Sequence, residues 1–250
     1  MDSRAHSNVV YALTILMLAL FAALGTFLPM GDVVDLADAE LPASRPVLAL
    51  VNGSVMLIIY GGLGFLGLHL ARRLGFADVW DPEIPTWERL AYPALLGLGL
   101  GVFFIAADLL FSQLHGLGPL PHPPFPTSIV ASIVAGIGEE VIFRLFFIPF
   151  WMWLISSLLL GGRGKETVFV VVTGLSAVAF ALAHLPSVMV LINAKSMAQI
   201  PAALLAEILL LNSMLSVVAA SELRRNGFLA AVSIHLWADV AWHVVWGMIG

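Results

Sequence analysis

Residues 127–159 decide the fold of this chain: TSIVASIVAGIGEEVIFRLFFIPFWMWLISSLL. The stretch is apolar except for a few small polar residues and three charged ones near its middle, Glu139, Glu140 and Arg144. About 20 apolar residues are enough for a helix to cross the hydrocarbon core of a bilayer. Since this stretch is longer, we expect a transmembrane helix that tilts, breaks or projects from the membrane.

The composition of the whole chain agrees with this interpretation. Of its 250 residues, 60% are hydrophobic and 11% are charged, and the mean hydropathy is +1.01. A soluble domain of this size carries far more charge, because it must cover its surface with polar groups. The chain has no cysteine, which excludes disulfides, thiol catalysis and cysteine-ligated metal. It also has no basic cluster of the kind that binds nucleic acid.

Seven apolar segments predict an all-α fold, a polytopic membrane helix bundle with an active site inside it. We expect one membrane domain over residues 1–250, without a soluble domain or an internal repeat. The first segment is too long for a typical signal peptide, so we expect it to be retained as a helix. The predicted helices cover residues 9–28, 46–69, 91–111, 127–159, 168–192, 200–220 and 228–249.

The basic residues predict how the bundle is oriented. With seven spans, most of them fall on one side of the membrane, and an acidic loop after the first helix, with Asp32, Asp35, Asp38 and Glu40, falls on the other. By the positive-inside rule the N-terminus is cytoplasmic and the C-terminus is external, in the plasma membrane if the chain is prokaryotic. The residues on the basic side are Arg4, Arg72, Arg73, Arg89, Arg163, Lys165, Arg224 and Arg225.

Ionisable side chains inside three of the apolar segments predict a functional site. Charged groups at membrane depth are costly, and they mark working sites by default. Here they recur at the spacing that places two side chains on one face of a helix. The three motifs are Glu139-Glu140-x-x-x-Arg144, Phe180-x-x-x-His184 and His235-x-x-x-Asp239. Acids and histidines on three separate helices are typical of an intramembrane hydrolase.

The two adjacent acids are predicted to have different roles. On a helix, Glu139 and Glu140 point about 100° apart. Arg144 follows Glu140 by four residues, so we expect it to neutralise and orient that carboxylate. Glu139 then remains as the freer carboxylate, suited to be a general base that activates water.

The two histidines are predicted to complete the site. Phe180 precedes His184 by one turn and can wall the pocket, and Asp239 can fix the orientation of His235. His184 reaches the depth of the other residues only if its helix continues past Pro186 to about residue 192, with a proline kink. Neighbouring helices satisfy the backbone groups that such a kink frees. We therefore predict this continuation.

The three motifs, in this order on successive apolar helices, resemble those of the CAAX protease and bacteriocin-processing family of intramembrane glutamate endopeptidases, which includes the Ras-converting CAAX endopeptidase. The resemblance covers residues 128–250, the predicted catalytic core, and residues 1–127 carry no motif of this family. It implies that Glu139 activates water with the help of His184, and that His235 and Asp239 stabilise the oxyanion. Glu140 and Arg144 would support these residues.

The position of Asp239 departs from the pattern of the prenyl-protein proteases, which commonly have Asn there. An amide donates a hydrogen bond to an oxyanion, whereas an ionised carboxylate cannot. Asp239 must therefore be protonated, or it serves mainly to orient His235.

The resemblance implies an enzyme that cleaves the C-terminal tail of a prenylated or otherwise membrane-tethered protein, with the lipid bilayer as its environment, no nucleic-acid partner and no cofactor. Three alternatives remain open from the residues. Two histidines and a carboxylate are a familiar zinc set, so a metal-dependent protease would use the same side chains. A bacteriocin-immunity or scaffold protein would not depend on Glu139. Buried Glu and His also form the proton relays of transporters.

Overall fold

The computed structural model describes residues 3–29 and 43–249, and within them the chain is helical and has no strand. The predicted all-α bundle is confirmed, with seven helices long and apolar enough to span a membrane. The acidic loop with Asp32, Asp35, Asp38 and Glu40 lies outside the described residues. The helices are α1 (Ser3–Gly25), α2 (Arg45–Leu74), α3 (Trp87–His115), α4 (Thr127–Leu159), α5 (Lys165–Leu191), α6 (Ala202–Asn226) and α7 (Phe228–Ile249).

Several helices are longer than the hydropathy predicted. The predicted start of α3 at residue 91 and the predicted end of α6 at residue 220 were wrong, since α3 begins at Trp87 and α6 continues to Asn226. The added turns contain polar residues such as Arg89, Arg224 and Arg225. Hydropathy detects only the part of a helix that matches the hydrocarbon core, whereas the helix itself continues into the interface.

The last helix forms the centre of the bundle. α7 is the most buried of the seven spans and packs against α3, α4 and α6, whereas α2 is the least buried. Gly97 and Gly101 of α3 let that helix approach the backbone of α7, because a Cβ at either position would collide with the carbonyl of Ile234 or Ala238. Small residues allow such close contacts between membrane helices. These contacts fix the level at which α7 presents its polar residues.

The predicted continuation of α5 is confirmed. Its first segment ends at Ala183, His184 makes a turn, and a second segment runs from Leu185 to Leu191 with Pro186 in its first turn. Proline fits the first turn of a helix, where its missing N–H has no partner to lose. The break at His184 therefore comes from Pro186, and it leaves His184 inside the bundle.

Wide π-helical turns interrupt several helices, and two of these turns lie beside motif residues. One covers Glu140–Phe147 in α4, another covers Val240–Trp246 directly after Asp239 in α7, and a third covers Met56–Tyr60 in α2. Such turns leave some backbone groups without helical partners, and they are frequent at functional sites. In α4 the hydroxyl of Ser176 donates to the carbonyl of Phe143, 2.7 Å away, and so ties α5 to this turn.

The basic ends of several helices meet at one end of the bundle. Ser7 donates to the backbone carbonyl of Trp80, and the backbone N–H of Ala77 donates to the carbonyl of Arg224. Ion pairs join Arg72 to Asp78 at 2.8 Å and Arg224 to Glu166. The start of α1, the segment between α2 and α3 and the end of α6 therefore share one side, as seven alternating spans require.

Candidate active site

Three helices bring the motif residues together inside the bundle. Glu139 on α4 lies between the two histidines: its Oε2 is 4.0 Å from Nε2 of His184 on α5 and 3.6 Å from Nε2 of His235 on α7. Asp239 lies one turn after His235, with its Oδ2 3.7 Å from the same Nε2. The residues that the sequence placed on three separate segments thus surround one small space.

His235 is oriented by Glu140, which differs from the prediction. Its Nδ1–H donates to Oε1 of Glu140 over 2.8 Å. The His235 residue is only 3% exposed, so this contact is shielded from solvent. From the sequence we predicted Asp239 in this orienting role, because spacing along one helix reveals neighbours on that helix only. The closer carboxylate belongs to another helix, and it directs Nε2 of His235 toward Glu139 and Asp239.

Arg144 lies between a carboxylate and an aromatic ring. Its Nε is 3.3 Å from Oε2 of Glu140, and both side chains are fully buried. Its guanidinium carbon lies 4.0 Å from the centre of the Phe180 ring, a cation–π contact. A buried carboxylate without a countercharge is strongly destabilising, so Arg144 allows Glu140 to remain at this depth.

Phe180 contacts both histidines as well as Arg144. Its ring centre is 4.8 Å from that of His184 and 5.8 Å from that of His235, in edge-to-face geometry. Phe180 has no exposed surface. Its ring therefore packs between Arg144, which pairs with Glu140, and the imidazole of His184.

The hydrogen bond of His184 selects its tautomer. Nδ1 lies 2.8 Å from the backbone carbonyl of Phe180, and a carbonyl only accepts, so Nδ1 carries the hydrogen. In the neutral ring, Nε2 is then an acceptor, and this atom faces Glu139.

Exposure divides the site into a closed part and an open part. Glu140 and Arg144 have no exposed surface, whereas the side chains of Glu139 and His184 are each 34% exposed. The Oε2 atom of Glu139 is itself buried, and among the described residues it has no hydrogen-bond donor. The open part therefore offers the imidazole of His184 and a partly exposed carboxylate whose inner oxygen still lacks a donor.

The part of the chain that forms this arrangement matches a known protein family. Residues 121–246, half of the chain, match the model of the type II CAAX prenyl endopeptidase Rce1-like family. The chain belongs to this family. Neither a curated protein nor a solved structure matches it. The matched region contains all seven site residues predicted from the sequence, and it begins in the loop before α4.

Membership in the Rce1-like family has direct consequences for the class of protein. The family implies an endopeptidase of the CAAX type that works inside a bilayer, on membrane-associated prenylated substrates. Together with the seven apolar helices, it makes the chain an integral, multi-pass membrane protein. α1, α2 and α3 lie entirely outside the matched region.

Sequence reasoning missed a second buried polar cluster in this Rce1-like protein, formed by Asp108, His115 and Glu207 and called here the α3–α6 cluster. Nε2 of His115 is 3.2 Å from Oε2 of Glu207, and both side chains are fully buried. The backbone N–H groups of Leu117 and Leu120 donate to His115 and Asp108. The acids were visible inside apolar segments, but no spacing pairs residues 92 positions apart.

A histidine pair lies near the C-terminal end of α7, and this pairing was also missed. Nδ1 of His122, in the loop between α3 and α4, lies 3.0 Å from Nδ1 of His243. The ring of His122 packs edge-on against Trp242, with 4.8 Å between centres. Burial lowers the pKa of His122, and the charge of Asp108 partly opposes this effect.

Within the described residues, no group of three or more acids and histidines is arranged to hold a metal ion.

Proposed function

We propose that this protein is a glutamate-type intramembrane endopeptidase that cleaves the C-terminal tail of a prenylated, CAAX-type protein. The observation that carries the proposal is the exposed Glu139 carboxylate between two histidines, beside a fully buried Glu140–Arg144 pair. We also propose that residues 128–250 are the catalytic core, and that the N-terminus is cytoplasmic, on the side of the basic helix ends.

Glu139 and His184 are suited to hold the attacking water. Oε2 of Glu139 and, in the neutral ring, Nε2 of His184 are both acceptors, 4.0 Å apart. A water molecule has two O–H groups and can donate one to each. Glu139 takes a proton from this water as the oxygen attacks the scissile carbonyl carbon. The proton then passes to the leaving amine as the C–N bond breaks, and Glu139 returns to its ionised form.

His235 and Asp239 are suited to stabilise the oxyanion that forms in this step. In its imidazolium form, His235 donates one N–H to Glu140 and has a second N–H, on Nε2, directed at the space beside Glu139. Since Glu140 already orients His235, we assign Asp239 the other role that the sequence left open. A protonated Asp239 donates a hydrogen bond to the oxyanion, as an asparagine amide does.

The proposal is tested by incubating the purified protein with a farnesylated CAAX peptide. We expect the wild type to release the C-terminal fragment and Glu139→Gln to release none above background, with a chelator having no effect. Cleavage that a chelator abolishes would contradict the glutamate mechanism and favour a metalloenzyme. A wild type that binds the peptide without cleaving it would instead favour a non-enzymatic role, and a wild type that neither binds nor cleaves it would exclude this substrate class.

A further inference from the structure

Two tyrosines on neighbouring helices differ in how their hydroxyl groups are used. Tyr11 on α1 is buried, and its hydroxyl donates to the backbone carbonyl of Gly61 over 2.7 Å. Tyr60, the residue before Gly61 on α2, is only partly buried, and its hydroxyl makes no hydrogen bond to any described residue. A hydroxyl without a partner is costly at membrane depth. Tyr60 therefore keeps its hydroxyl free at a position where apolar residues would be more stable.

The ring of Tyr60 lies against the residue that precedes the general-base candidate in α4. A Cβ built on Gly138, the residue before Glu139, would be 3.5 Å from Cε1 of Tyr60. The glycine leaves room for the ring against α4. Tyr60 ends the wide turn Met56–Tyr60 of α2.

The geometry of α4 puts Tyr60 and α7 on opposite sides of Glu139. A Cβ on Gly136 would be 3.1 Å from the backbone N of Leu236, so Gly136 faces α7. Gly138 follows two residues later, about 200° around the helix, and faces Tyr60. Glu139 projects between these two directions. A peptide lying over Glu139 would have His235 of α7 on one flank and the side chain of Tyr60 on the other.

We propose that Tyr60 is a substrate-binding residue whose O–H donates a hydrogen bond to a backbone carbonyl oxygen of the peptide lying over Glu139. This inference rests on the proposed function. Tyr60 extends the site beyond the matched residues 121–246, onto a helix that carries none of the three motifs. A phenol suits this position, because its ring packs on Gly138 while its polar end remains available to a ligand.

The inference is tested by binding, in a background where cleavage is blocked. The dissociation constant of a farnesylated CAAX peptide is measured for Glu139→Gln and for Glu139→Gln with Tyr60→Phe, which keeps the ring and removes the hydroxyl. We expect the second change to weaken binding roughly three- to tenfold, as for one neutral hydrogen bond. Tyr92→Phe in the same background is the matched control, because Tyr92 is exposed on α3 and makes no hydrogen bond or ring contact with any described active-site residue. With Glu139 intact, Tyr60→Phe should lower kcat/KM by a similar factor.

Equal affinity of Glu139→Gln with and without Tyr60→Phe would overturn the inference while leaving the proposed function in place. So would a loss of affinity that Tyr92→Phe reproduces. If Glu139→Gln does not bind the peptide and the wild type does not cleave it, the proposed substrate class is wrong and the assignment of Tyr60 is wrong with it. The melting temperature of Tyr60→Phe in detergent should match that of its parent, because the ring contact with Gly138 is retained.

Discussion

Two groups of acids and histidines lie inside the described part of the bundle, and they differ in how far ligands can reach them. In the active-site cluster, Glu139 and His184 keep about a third of their side-chain surface exposed. In the α3–α6 cluster, Glu207 and His115 are fully buried, and nearby backbone N–H groups occupy His115 and Asp108. The residue types are alike. The presence of a carboxylate at membrane depth is therefore not enough to indicate a reactive site; the carboxylate must also be accessible to a ligand.

Replacing one glutamate in each cluster by glutamine should give the largest difference in cleavage rate between the clusters. We expect Glu139→Gln to lower peptide cleavage by roughly 10²- to 10⁴-fold, because the general base is lost. Glu207→Gln should leave cleavage by the folded protein unchanged, since an amide oxygen still accepts from Nε2 of His115. Cleavage rates of equal amounts of folded protein measure both. A comparable loss of activity in Glu207→Gln would remove the distinction between the clusters.

The arginine of the active-site cluster has no counterpart in the α3–α6 cluster. Arg144→Met should lower the free energy of unfolding by about 3–5 kcal/mol, because Glu140 would remain buried without its countercharge. Adding Glu140→Gln should restore part of this loss, and the double-mutant cycle measures the coupling. Unfolding in detergent follows both variants. Independent effects of the two substitutions would contradict the pairing at 3.3 Å.

Asp239 tests which protonation state the active-site cluster uses. If Asp239 donates to the oxyanion, Asp239→Asn should keep most of the cleavage rate, whereas Asp239→Ala should lose roughly 10²- to 10³-fold. Both variants remove the ionisable carboxyl group, and only Asn keeps a hydrogen-bond donor, so each is the control for the other. Equal losses in both would show that the ionised carboxylate is required. Asp239 would then act on His235 and not on the substrate.

The α3–α6 cluster should respond in stability and not in rate. Asp108→Ala removes the acceptor of the Leu120 N–H, at 3.0 Å, and we expect the free energy of unfolding to fall by about 1–3 kcal/mol. Cleavage per folded molecule should stay at the wild-type level. Thermal unfolding and cleavage rate, measured on the same sample, separate the two effects. A loss of activity without a loss of stability would place this cluster in the reaction.

The smallest expected effect is the pH dependence contributed by His122. Its pKa is lowered by burial, so the folded protein binds fewer protons than the unfolded chain, whose histidine has a pKa of about 6.5. The contribution to stability is therefore present above about pH 6.5 and is lost as the pH falls toward the lowered value. Melting temperatures between about pH 5 and about pH 8 should fall less steeply on acidification in His122→Gln. Identical profiles would contradict this contribution.

The sequence was sufficient for the fold class and for the identity of the candidate residues. Each helix reveals itself through a long apolar run, because the bilayer requires one. The motif residues stand out because ionisable groups are rare in such runs. The continuation of α5 past Pro186 also followed from the sequence, since only that continuation gives His184 the depth of Glu139. Contacts between helices did not follow, and the orienting partner of His235 was the main difference.

The seven membrane helices and their inward-facing polar side chains could be predicted from the sequence alone, because hydrophobic length and helical spacing are local properties. Which of those side chains meet depends on the tertiary structure. It placed Glu140 against His235, 95 positions away in the chain, buried Glu207 against His115, and packed the ring of Tyr60 of α2 on Gly138, the residue before Glu139. These contacts depend on where glycines such as Gly97, Gly136 and Gly138 let helices approach, which is a property of packed pairs of helices and not of any one segment.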